Sequence, residues 1–121
     1  MALTFETIRD YCLQKKGTTA EHPFGPETMV FKVMGKMFAL CSPGNIPLAI
    51  NLKCDPELAI TLRSHYAAVQ PGYHMNKEHW NTVTLDGSLP DDEVLGMIDH
   101  SYELVVKGLR KADRASLARQ T

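Results

Sequence analysis

A chain of 121 residues with 44% hydrophobic and 22% charged side chains has the balance of one folded domain, which excludes disorder as its main state. Its 13 Lys and Arg against 14 Asp and Glu leave a net charge of -1, so any nucleic-acid surface must come from local clustering. The longest apolar run, Met37 to Cys41, is far short of the ~20 residues of a membrane span, and no leader pattern opens the chain, so a cytoplasmic protein is expected.

Phe5, Ile8 and Cys12 recur at helical spacing behind Thr4, a good N-cap, and Gly17 follows the last turn, which predicts a first helix over residues 4–16. His22, Pro23, Gly25 and Pro26 predict an irregular loop from Thr18 to Pro26. Three strands are expected next. Glu27 to Met34 alternates Met29, Phe31 and Val33 with Thr28, Val30 and Lys32, and Gly35-Lys36 fits a two-residue hairpin. Met37 to Ser42 is apolar on both faces, and Pro43-Gly44-Asn45 turns the chain into Ile46 to Lys53.

Asp55-Pro56-Glu57 starts a second helix, because Asp caps the free amides and Pro at the first position loses no bond. That helix should run to Tyr66, with Leu58, Leu62 and Tyr66 on one side. A short strand at Ala67 to Gln70 precedes a loop at Pro71-Gly72, and Trp80 to Leu85 reads as a further strand. Pro90-Asp91-Asp92-Glu93 places negative charge at the start of a last helix, whose stripe Leu95, Ile98, Tyr102, Val105, Leu109 and Ala112 should cross the sheet. The fold class expected is α+β: one two-layer domain over residues 1–112, an antiparallel sheet covered by helices in the order α-β-β-β-α-β(β)-α. Residues 113–121 read as a basic tail that frays.

No catalytic constellation stands out. Cys12, Cys41 and Cys54 are odd in number and widely spaced, which suits buried thiols in a reducing cytoplasm better than a disulfide framework. Cys54 adjoins a helix start that would favour a thiolate, but Asp55 opposes ionisation. His65, His74 and His79 lack the one-turn spacing of a zinc motif, so no metal and no cofactor is expected. The segment Tyr73-His74-Met75-Asn76-Lys77-Glu78-His79-Trp80 is the richest in hydrogen-bonding and aromatic groups, the mixture used to grip phosphates and stack bases. The alternative for it is a structural loop with Trp80 anchored in the core.

Val30-Phe31-Lys32-Val33, Gly35-Lys36-Met37-Phe38-Ala39 and Asn51-Leu52-Lys53-Cys54-Asp55-Pro56-Glu57 resemble the MmcQ/YjbR family of small bacterial proteins. Pro71-Gly72-Tyr73-His74-Met75-Asn76-Lys77, His79-Trp80-Asn81-Thr82-Val83 and Asp99-x-Ser101-Tyr102-x-Leu104-Val105 resemble its most distinctive motifs. The resemblance runs to Leu109 and implies a secretion-chaperone-like or frataxin-like arrangement. It also implies DNA binding through a double wing, which would assign contacts to Lys53, Arg63, His74, Asn76, Lys77, His79 and Trp80, with Asn51 beside them. The expectation is a non-enzymatic domain that binds DNA weakly. The alternative is a protein or small-ligand interaction module, with a homodimer among its forms.

Overall fold

The computed structural model describes residues 3–72 and 75–120. Tyr73 and His74 therefore lie outside the described residues. The elements in chain order are α1 (Phe5–Leu13), β1 (Thr18–Glu21), β2 (Met29–Val33), β3 (Lys36–Cys41), β4 (Ala49–Lys53), α2 (Pro56–His65), β5 (Val69–Pro71), β6 (Trp80–Thr84), α3 (Asp91–Lys107) and α4 (Lys111–Ala118). The six strands form one antiparallel sheet in the order β1-β2-β3-β4-β6-β5. This is the expected α+β class with one strand and one helix more than the sequence pattern suggested.

The added strand is β1, in the segment expected to be a loop. Pro23, Gly25 and Pro26 bar regular structure only beyond Glu21, and Thr18 to Glu21 are free to pair with Val33 to Val30. The β2–β3 turn is Met34-Gly35 and not Gly35-Lys36. Both residues have positive φ, 50° and 83°, which a tight hairpin twisted with its strands requires, so Met34 takes a conformation that a side chain normally avoids. β4 begins three residues later than expected, because Pro47 has no N–H for the ladder, and Ile46 stands 97% exposed.

α3 lies across β2, β3 and β4, while α1 packs on β1 and α2 on β5. Phe31, Phe38, Ile50, Leu52, Val83 and Ile98 close the core between these layers. Phe31, Ile50, Ile98 and Val105 are buried in it, and Leu48, Leu62, Leu95 and Tyr102 pack at its margin. The buried line of α3 is Val94, Ile98, Ser101 and Val105, rotated slightly from the expected stripe so that a serine meets the sheet. On α2 the buried residue is Ala59, and Leu58 is exposed.

The C-terminal segment does not fray. After Gly108 the chain turns into α4, whose Leu117 is 5% exposed and belongs to the core cluster. Gly17, at φ 73°, lies under it, and a Cβ there would come within 2.5 Å of Leu117 Cδ1. One large apolar residue among alanines and polar side chains has no periodicity to announce it, which is why the sequence pattern missed this helix.

Candidate functional site

The Asp99-x-Ser101-Tyr102 motif is a docking strip for α3. Asp99 Oδ1 accepts from Lys15 Nζ at 2.5 Å and from the Tyr11 hydroxyl at 2.7 Å, tying α3 to α1. Partial burial works against ionisation of Asp99, but the bonds from Lys15 and Tyr11 outweigh it and hold the carboxyl below its usual value. The same bond to Asp99, with burial, pushes the Tyr11 phenol up to about 12. The Lys15 ammonium also sits 5.0 Å and 5.2 Å from the Tyr11 and Tyr102 ring centres. Ser101 is fully buried. Its Oγ accepts from the Lys53 N–H at 2.9 Å and donates to the Phe38 carbonyl at 2.5 Å, bridging β3 and β4 just past their last paired residues, Ala39 and Leu52.

Arg63 governs the loop that enters β6. From α2 its Nε donates to Asn81 Oδ1 at 2.8 Å, and its Nη2 donates to the carbonyls of Lys77 and, at 3.2 Å, Trp80. Asn76 closes the loop from within: its carbonyl accepts from the N–H groups of His79 and Trp80, and its Oδ1 accepts from the Glu78 N–H. The His79 carbonyl accepts from the Cys54 N–H at 2.8 Å, and Trp80 C=O from Gly72 N–H at 2.7 Å. A Cβ on Gly72 would meet Trp80 Cβ at 2.9 Å, so glycine permits this approach. Arg63 is thus a positioning residue, with three hydrogen bonds directed inward. Arg63→Ala is expected to strip the partner from buried Asn81 and cost about 1–3 kcal/mol, read as a lower denaturant midpoint, and Lys cannot restore the fork.

Trp80 is half-buried but lies outside the core cluster, which corrects the expectation of a core anchor. It opens β6 directly opposite Lys53, so both side chains stand on the sheet face that the helices leave open. Across that face runs a groove of about 580 Å3. Trp80, Met75 and Asn76 form one wall, and Phe24, 64% exposed in the β1–β2 loop, forms the other. Met37, Leu40, Thr28 and Asn51 make the floor. A smaller concavity of about 240 Å3 continues it past Thr28, Leu40 and Asn51 to Ser42, Asn45 and Thr82. Among the described residues, no charged side chain lines either part.

The structure therefore brings Asn51, Asn76 and Trp80 together in the groove and sets Lys53 on the same face. Lys77 is exposed in the adjoining loop, while His79 is half-buried at the entry to β6. Arg63 is turned away to hold the loop backbone. His74 is outside the described residues. Phe24, Met37 and Leu40 escaped the sequence reading; the signal available was an aromatic residue in a Pro/Gly loop and apolar side chains at both phases of β3.

On the helical side, α2 and α3 bound a second cleft of about 330 Å3 floored by Leu52, Asn81 and Val83. Cys54 lines it. Burial, reinforced by the Asp55 carboxylate and opposed by Arg63, pushes its thiol up to about 11. His100 Nε2 accepts from the Asp55 N–H at 3.2 Å, while Asp55 itself caps α2 through Leu58 N–H. His65 Nδ1 bonds to the Thr61 carbonyl of its own helix. Among the described residues, no three His, Cys, Asp or Glu side chains stand together as a metal set.

An antiparallel sheet with helices on one side and an uncharged groove on the other defines a class of small α+β domain. The comparisons assign it: the family model described as YjbR matches residues 13–104, and the chain belongs to the YjbR family. It is 36% identical over 115 residues to the uncharacterized protein YjbR of Escherichia coli K12, covering 95% of this chain and 98% of that one. The uncharacterized protein YbdF of Escherichia coli O157:H7 is 42% identical over 109 residues, covering 90% of this chain and 89% of its own. The crystal structure of Deinococcus radiodurans protein DR2400, with a DUF419 domain, superposes with a TM-score of 0.88 at 41% identity, over 95% of this chain and 88% of that one. A crystal structure from Pseudomonas syringae gives 0.74 at 34% identity, over 84% and 98%.

Proposed function

We propose that this protein is a non-enzymatic binding domain that takes single-stranded DNA across the open sheet face. The observation that carries the reading is the groove walled by Phe24 and Trp80: an exposed phenyl ring and a half-buried indole over a methionine and leucine floor offer aromatic surface to the flat faces of unpaired bases. The uncharged lining suits bases rather than phosphates, and Lys53 and Lys77 beside it offer charge to the backbone. The loops carrying Phe24 and Met75 to Trp80 are where the two wings of the grip would lie. Three free, buried thiols suit a reducing compartment such as the cytoplasm, and their raised pKa values argue against nucleophilic chemistry.

Trp80 is the chain's one tryptophan, so its fluorescence reports directly on the groove. Single-stranded DNA at low salt should quench it, and duplex of the same length should do so less. With Arg63 spent on the loop, Lys53 and Lys77 are the candidate phosphate contacts, and log affinity for single strands should fall with log salt at a slope of about -1.4. Lys77→Ala should reduce that slope by about 0.7 and weaken all sequences alike. Absence of salt-sensitive quenching by either form of DNA would transfer the assignment to a protein or small-ligand module. The α2–α3 cleft, with Leu52 and Val83 beside Asn81 in its floor and Asp92 and Glu93 at its border, is the observation favouring that second reading.

A further inference from the structure

The groove is selective in what it leaves unpaired. Asn51 Oδ1 accepts from the Thr82 hydroxyl at 2.5 Å, and Asn76 Oδ1 accepts from the Glu78 N–H at 3.0 Å. Thr28 and Ser42 hydroxyls bond to one another at 2.9 Å. In the main groove the two side-chain amides, Asn51 and Asn76, thus each engage their oxygen internally, and among the described residues neither Nδ2 has a protein partner. What faces a ligand is two amide donors, one in the floor and one in the wall, beside the thioether of Met37.

We propose that Asn51, with Asn76, selects bases that present exocyclic carbonyl oxygens, so that the site prefers thymine-type oxo-pyrimidines over adenine. Thymine brings carbonyl acceptors and a methyl group, which match amide donors and an apolar floor. Adenine offers only ring nitrogens as acceptors, sets its amino group beside N1 and N7 as donor against donor, and brings no methyl group for the apolar floor. Only an unpaired base can turn its pairing edge into the groove. This inference rests on the single-strand reading and names the base that reading takes.

The test is Trp80 fluorescence with oligo-thymidylate and oligo-adenylate of equal length at low salt. The wild-type chain should bind the thymidylate about tenfold more tightly, the discrimination expected of one well-placed hydrogen-bond set. Asn51→Asp keeps an oxygen for Thr82 and removes the NH2, and the preference should then fall to about twofold or less. The added charge weakens both oligomers, so the ratio and not the affinity is the readout. Asn76→Asp, in the exposed loop, should lower the same ratio and serves where the strand variant fails to fold. Equal binding of the two oligomers, or an unchanged ratio in both folded variants, overturns the base preference and leaves the DNA reading standing. No quenching by either oligomer overturns both.

Discussion

Phe38→Ala should lower stability by about 3–5 kcal/mol, seen as a large drop in the denaturant midpoint with little change in slope. The ring is fully buried between α3 and the sheet. It meets Tyr102 edge-on at 5.3 Å between centroids and Phe31 at 6.5 Å, and such pairs add to the cost of the lost area. Truncation also loosens the seat of Ser101, whose hydroxyl bonds the Phe38 carbonyl and joins β3 to β4. The control is Phe24→Ala on the open face, where a change within about 0.5 kcal/mol is expected. Equal midpoints for the two variants would contradict the placement of the core.

Raising the pH above about 9 should destabilise the protein progressively. Burial pushes the thiols of Cys12 and Cys41 up to about 12 and that of Cys54 to about 11, from an ordinary 9.0. The unfolded chain therefore gives up these protons first. Between the unfolded and folded values the native state binds more protons, so stability falls as pH rises. The contribution is fully present below 9.0 and is lost progressively towards about 12. Tyr11, raised from 10.0 to about 12 chiefly by its bond to Asp99, acts in the same direction. The buried thiols of Cys12 and Cys41 should carry most of this loss, with Cys54 and the more accessible Tyr11 adding less. Urea midpoints measured across this range, with iodoacetamide labelling of the native protein, check it: a flat profile or rapid labelling of all three cysteines would refute the buried-thiol account.

Legibility differed between the two sheet faces for a physical reason. The helix-covered face rests on periodicity, so Phe31, Ile50, Ile98 and Val105 could be placed in one core without coordinates. Asp55-Pro56 announced α2 through local capping chemistry, and the Asp55 side chain does accept from the Leu58 N–H. The open face has no such signature, because its character comes from residues of five separate segments, from Phe24 to Trp80, brought together by strand order. Composition flagged the loop before Trp80 but could not tell which polar groups point inward. The family resemblance put Arg63 among the DNA contacts, and its hydrogen bonds make it a buttress of the loop. Leu117 needed the third dimension entirely.

The borders of the sheet limit what the protein can do in a crowded solution. An open antiparallel sheet offers two unpaired edges, and each is a template on which another chain could crystallise as an extra strand. Here β5 is three residues long and ends in Pro71, which has no N–H to offer, while β1 is four residues long. Neither edge can sustain a ladder long enough to compete with the native pairing. A flat face left free for a ligand would otherwise be an invitation to stack copy upon copy. Short margins, one of them blunted by a proline, work against edge-to-edge pairing beside that open face.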